Sequence, residues 1–190
     1  MKNNKVFEFI KPVIVLTVIA AVMAALLGGT NLLTKNKIKE LEEKNKIAAV
    51  KRVIVAEEYE SASIDYKENS HEYFKATTGG KLVGYAFTIS KNGYGGLVKS
   101  VIGLDAGGKI TAIEIIDVAN ETPGLGQNAA KPQFANGFKG KSSTLSVVKA
   151  DPKENEIQAV TGATITSTAV ADSVNLAFEL FAELEKEGDR

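Results

Sequence analysis

Hydrophobic positions along this chain fall into three regimes. The first is an unbroken apolar run: residues 12–33 carry no charge, and residues 13–27 are almost wholly Val, Ile, Leu, Ala and Met. A helix of that length, rising about 1.5 Å per residue, matches the roughly 30 Å hydrocarbon core of a bilayer. The run predicts a membrane-spanning helix over residues 12–34, after a short N-terminal segment of residues 1–11. A cleaved signal peptide competes with it, because Lys2, Lys5 and Lys11 form a basic leader and Ala20, Ala21, Ala24 and Ala25 offer small residues for cleavage. Leu26, Leu27, Leu32 and Leu33 continue the apolar run past any such site, which favours a retained anchor.

In the second regime, residues 36–57, dense alternating charge surrounds a broken apolar stripe of Ile38, Leu41, Ala48 and Val53. This predicts a helical stalk over residues 35–58 that docks on the domain beyond it. The third regime, residues 59–190, changes to short β-rich runs, clearest at 73–77, 81–90, 97–105 and 109–118. Gly79-Gly80 and Asp105-Ala106-Gly107-Gly108 sit between strand-like runs where a hairpin needs positive φ, so antiparallel pairing follows. A short helix is expected near 131–137, a further strand at 145–149, and a long helix at 164–186. Val170, Val174, Phe178, Phe181 and Leu184 recur along that last helix at steps of three and four, a face suited to packing on a sheet. The fold class is α+β: one transmembrane helix, then an antiparallel sheet packed by a long C-terminal helix.

Composition narrows the chemistry. The 190 residues hold 23 basic and 23 acidic side chains with no basic cluster, which argues against nucleic acid as a partner. No cysteine is present, which removes disulfides, iron–sulfur clusters and thiol catalysis together. The lone histidine, His71, lies in a polar stretch and reads as a surface residue. It leaves no His and Cys set for zinc and at most one imidazole for a triad, so no metal ligand and no catalytic residue is assigned.

Candidate chemistry sits where the last helix begins. Thr161-Gly162-Ala163-Thr164-Ile165-Thr166-Ser167 combines small residues with hydroxyls at a place where unpaired N–H groups and the helix dipole attract phosphate. Taken alone, ordinary helix capping by Ser or Thr accounts for it equally well or better. A second element, Glu121-Thr122-Pro123-Gly124-Leu125-Gly126, places a type II turn at Pro123-Gly124. Glu121, Thr122, Gly124, Leu125 and Gly126 also make a wall on which a flat ring can lie. In Asn92-Gly93-Tyr94-Gly95-Gly96 a plain loop is the simpler reading, with Tyr94 as a further ring contact the other.

Together with the anchor and with Phe138-Lys139-Gly140-Lys141, these motifs make the chain resemble the FMN-binding domain family, and over its whole length the G subunits of Rnf-type electron-transport complexes. The resemblance implies FMN joined by a phosphoester to the last Thr of the Thr-Gly-Ala-Thr motif, here Thr164, by an ApbE-type flavin transferase. It implies an electron relay among partner subunits of the A, B, C, D and E types, in a complex that moves electrons between ferredoxin and NAD while translocating Na⁺ or H⁺. It also implies a domain on the outer face of the inner membrane. Charge counting does not supply that orientation: Lys35, Lys37, Lys39, Lys44 and Lys46 follow the span and outnumber the lysines before it. The C subunit of the sodium-pumping NADH:quinone reductase, generally longer, is the nearest alternative. A free-standing flavin reductase and a flavin-free anchored binding module are the others. One departure stands out: relatives often carry Asp three positions before the motif, where this chain has Gln158.

Overall fold

The computed structural model describes residues 3–188, so the ends of the expected N-terminal segment and of the C-terminal domain lie outside the described residues. Two compact units emerge, residues 1–44 and 45–190.

The first unit is part of one uninterrupted helix, α1, Asn3–Val53, with Pro12 inside it. This helix carries a stretch long and apolar enough to cross a membrane, and none of that stretch is covered by protein. Exposed Leu, Ile and Val side chains are costly in water, so a surface of this kind calls for lipid or a protein partner. Thr17 and Thr30 turn their hydroxyls back onto the carbonyls of Val13 and Leu26, at 2.8 Å each, which leaves no bare hydroxyl at those positions.

The second unit begins with the last turns of α1. Ala49, Val50, Val53 and Ile54 are buried there with Phe74, Ala76, Ala86 and Val101. Of the expected stripe, Val53 is buried and Ala48 half-buried, whereas Ile38 and Leu41 are exposed, so the docking face is confined to the later positions, where the charged residues thin out. Lys46, also buried, reaches Glu72 at 2.8 Å and lies over the Phe74 ring.

A five-stranded antiparallel meander follows in chain order: β1 (Glu58–Tyr66), β2 (Asn69–Thr78), β3 (Lys81–Asn92), β4 (Leu97–Asp105) and β5 (Ile110–Asp117). Strand β1 is absent from the sequence expectation, and the reason is local. Its turn to β2 is made by Lys67 and Glu68, both at positive φ (47° and 66°), a conformation usually signalled by Gly or Asn. Between β5 and the last helix come a 3-10 turn (Gly126–Ala130), the single-turn helix α2 (Pro132–Ala135) and a second 3-10 turn (Asn136–Phe138), where one short helix was expected. The short strands β6 (Ser146–Val148) and β7 (Glu156–Gln158) pair in parallel, and β7 is too brief to leave a periodic signal.

The closing helix α3 (Thr164–Glu187) covers one face of the meander. Its Val170, Val174, Leu180 and Leu184 are fully buried against Tyr85, Phe87, Ile102 and Leu104. Phe181 meets Tyr85 edge to face at 6.0 Å. Asn175 clamps the residue just before β6, accepting from Leu145 N–H at 2.8 Å and donating to its carbonyl at 2.9 Å. The sheet thus carries α1's last turns on one face and α3 on the other, and the N-terminus of α3 comes to rest beside the loop that follows β5.

Candidate functional site

That junction holds a cleft of about 620 Å³, within the size range of small-molecule sites. Tyr94 from the β3–β4 hairpin, Glu121, Thr122, Leu125 and Gly126 from the loop after β5, and residues 162–166 from the start of α3 line it. Three motifs that lie far apart in the chain therefore meet in one place.

The loop after β5 has the expected turn. Leu125 N–H donates to the Thr122 carbonyl at 3.1 Å, and Gly124 takes φ +78°, the value a type II turn requires after Pro. Gly124 shapes the turn and stays outside the cleft, while Leu125 projects into it and lies against Gly162, where an added Cβ would come within 3.0 Å.

Glu121 is the centre of the arrangement. It is buried, with 2 % of its surface exposed. Its Oε2 accepts from the Thr166 hydroxyl at 2.6 Å, and its Oε1 accepts from Gly95 N–H at 2.9 Å. Burial works to raise the pKa of this carboxyl, but the Thr166 hydroxyl and the backbone N–H groups of Gly95, Tyr94 and Gly96 outweigh it and hold the group below its ordinary value. The side chain is closely walled: a Cβ on Gly93 or on Gly126 would stand 2.3 Å from one of its oxygens. The glycine-rich hairpin is thus more than a plain loop, since its backbone forms a nest for this carboxylate.

The first turn of α3 settles the capping question. Ala163 occupies the N-cap position and no side chain caps the helix. The N–H groups of Thr164, Ile165 and Thr166, which have no helical carbonyl to meet, are left for another acceptor. The hydroxyls of the motif divide sharply. Ser167, fully buried, donates to the Ala163 carbonyl and accepts from Val160 N–H, both at 2.9 Å, which ties the loop into the helix. Thr166 is committed to Glu121. Thr161 lines a separate depression with Lys131, Phe134 and Gln158. Thr164 is exposed and lines the cleft.

Of the residues the sequence singles out, the cleft gathers Tyr94, Glu121, Thr122, Leu125, Gly162, Ala163, Thr164 and Thr166, whereas Thr161, Gly124 and Ser167 do not line it. Gly126, part of the expected wall, lines it as well, and so does Ile165, which was not expected as a site residue. Ile165 is apolar yet 55 % exposed in the helix's first turn, a placement that only the structure reveals. Among the described residues no group of acidic, His or Cys side chains is placed to hold a metal.

A cleft walled by Tyr94, Leu125 and Ile165, with an uncapped helix start and a free hydroxyl at one end, suits a flat aromatic ring that carries a phosphate. Comparison with known proteins agrees. The model of the FMN-binding domain matches residues 93–179, and that of the RnfG N-terminal region matches residues 1–53. The G subunit of the Na(+)-translocating ferredoxin:NAD(+) oxidoreductase complex of Acetobacterium woodii is 37 % identical, over 91 % of this chain and 91 % of the relative. The proton-translocating counterpart from Clostridium ljungdahlii is 40 % identical over 57 % of this chain and 58 % of its own length. Among solved structures, the C subunit of the Na(+)-translocating NADH-quinone reductase from Parabacteroides distasonis has the same fold, with a TM-score of 0.57 at 21 % identity over 80 % of this chain and 93 % of that one.

Proposed function

This chain belongs to the G-subunit family of ion-translocating ferredoxin:NAD(+) oxidoreductase complexes, and on that basis we propose that it relays electrons through an FMN esterified to Thr164. The observation that carries the attachment is the division of hydroxyls in the Thr161 to Ser167 segment. Thr166 and Ser167 are buried and hydrogen-bonded, Thr161 opens elsewhere, and Thr164 alone among them presents a free hydroxyl to the cleft.

When bound, FMN supplies the electron-accepting and electron-donating chemistry. The chain's own groups hold and surround it. Thr164 Oγ1 anchors the phosphate, and the open N–H groups of Thr164, Ile165 and Thr166, with the positive end of the α3 dipole, balance its charge. Tyr94, Leu125 and Ile165, which line the cleft, would hold the ring. In attachment the Thr164 oxygen would replace the leaving group on the phosphorus of an activated flavin donor, and that group would depart with the hydroxyl proton. The net gain is FMN less water. An ApbE-type transferase performs this step, with the apolar part of α1 anchoring the chain in the inner membrane and the domain on the outer side. The other subunits of the complex are its redox partners, and the coupled ion is Na⁺ or H⁺. The span carries no charged residue, which argues against this chain forming the ion path.

Likeness to the quinone-reductase C subunit is a likeness of fold, whereas the G-subunit match extends over 91 % of the sequence, which favours the G-type assignment over the C-type and over a free-standing reductase. Intact-mass measurement of chain produced with the transferase tests the attachment. A gain of FMN less water is expected in the wild type and its loss in Thr164→Ala. A gain that persists in Thr164→Ala would move the ester to another hydroxyl.

A further inference from the structure

Glu121 is the one charged side chain lining the cleft among the described residues. Nothing in the attachment of a phosphate at Thr164 uses it. Its partners are all neutral: a threonine hydroxyl at 2.6 Å, Gly95 N–H at 2.9 Å and the neighbouring backbone N–H groups of Tyr94 and Gly96. A buried carboxylate of this kind keeps its full negative charge, with no cationic side chain spending it in an ion pair. Such a charge is costly to bury. Structural tying alone does not call for it, because a glutamine carbonyl accepts from Gly95 N–H equally well and the Thr166 hydroxyl rotates to serve either partner.

We propose that the Glu121 carboxylate sets the redox potential of the group held in the cleft, as a fixed negative charge that opposes the arrival of an electron and keeps the midpoint low. This rests on the FMN reading above. The physical basis is that charge beside a flavin is one of the few means a protein has of tuning it, and that a charge acts strongly across a short, water-poor distance. The wall is built so that this charge stays in place. Gly93 and Gly126 close on its two oxygens without room for a Cβ, and the tie to Thr166 joins it to the same helical turn that bears Thr164. The carboxylate acts on the ring through space, and the same hydrogen bonds that keep it ionised keep it from drifting out of the wall.

The experiment is a spectroelectrochemical titration of full-length chain in detergent, produced with the flavin transferase, for wild type, Glu121→Gln and Glu121→Asp. Covalent FMN is counted by intact mass first. A wild type that carries no FMN would defeat the attachment reading and this proposal with it, while a loaded protein tests the charge by itself. The midpoint is expected to rise in Glu121→Gln and to stay near the wild-type value in Glu121→Asp, which keeps the charge while shortening its reach. Equal midpoints in Gln and wild type would overturn the proposal, and so would an equal rise in Gln and Asp, which is what a merely structural role produces. If Glu121→Gln does not fold, carbon-13 NMR of the wild-type side-chain carboxyls decides the matter. The Glu121 resonance is expected to move between oxidised and reduced protein, and a resonance that does not move would sink the proposal.

Discussion

The Thr166 hydroxyl donates to the Glu121 carboxylate at 2.6 Å, joining the first turn of the last helix to the loop after β5 across 45 positions of sequence. Both groups are buried. A hydrogen bond to a charged acceptor contributes about 1.5–3 kcal/mol, and more is lost when a buried partner is stranded. Thr166→Val is therefore expected to lower stability by about 2 kcal/mol, read from urea unfolding of the full chain in detergent. Thr166→Ser, which keeps the donor, should lose well under half of that. Equal losses in the two would place the effect in the methyl group's packing instead.

Acid should find the same tie. The Glu121 carboxyl sits below its ordinary value of 4.5 because, against the upward push of burial, the Thr166 hydroxyl and the hairpin N–H groups favour its ionised form. The unfolded chain thus takes up this proton first as pH falls. The contribution of Glu121 to stability is complete above about 4.5 and is lost as pH drops through the lower folded value. Comparing urea midpoints from neutral pH down to the acid range should show a steeper decline for wild type than for Glu121→Gln. Parallel declines would mean that Glu121 does not titrate on unfolding.

Steric closure makes a third prediction. A methyl group on Gly126 would stand 2.3 Å from Glu121 Oε2 and 2.9 Å from Thr166 Oγ1, and one on Gly95 would stand 2.0 Å from the Asn120 carbonyl. Overpacking of this severity costs at least about 1–3 kcal/mol. Gly126→Ala and Gly95→Ala should each fall in or above that range. They should also reduce covalent FMN in the intact-mass assay, because the wall moves. The comparison is Gly137→Ala, where an added Cβ meets nothing within 4 Å and no comparable loss is expected.

Where the chain can be cut follows from the second core. Ala49, Val50, Val53 and Ile54 cover Phe74, Ala76, Ala86 and Val101. A domain starting at Asn45 keeps that cover and should unfold cooperatively. A domain starting at Val55 loses four buried apolar side chains and should be weaker by more than about 4 kcal/mol, with raised binding of a hydrophobic dye. Similar melting of the two would show that the α1 turns are dispensable to the sheet.

Much of this was legible from residues alone, and the gaps have physical causes. Strands β2, β3, β4 and β5 announced themselves through β-rich runs with glycine at their turns, and α3 through its 3.6-residue period. The β1–β2 hairpin stayed hidden because Lys67 and Glu68 adopt positive φ without glycine. The docking face of α1 holds Val53 and Ala48 as expected but stops short of Ile38 and Leu41, which are apolar yet exposed, and includes Lys46, which is charged yet buried. At the site, residue types pointed to a phosphate-friendly turn but left capping open. Only three-dimensional placement shows that the cap position is held by Ala163, which has no hydroxyl, and that Ser167 faces inward to seal the loop. The partnership of Glu121 with Thr166 joins two motifs that nothing in their spacing connects.

Strands β1 to β5 pair strictly in the order in which they are made, so most of the sheet has its partners before the last quarter of the chain leaves the ribosome. The cleft does not. The Thr164 hydroxyl and the Thr166 donor that steadies Glu121 both come with α3, the last element among the described residues. A truncated or stalled product can therefore look well folded by its sheet and still offer no place for a cofactor. On the proposed attachment at Thr164, loading of the site therefore reports that the start of α3 has been made and has docked on the loop after β5.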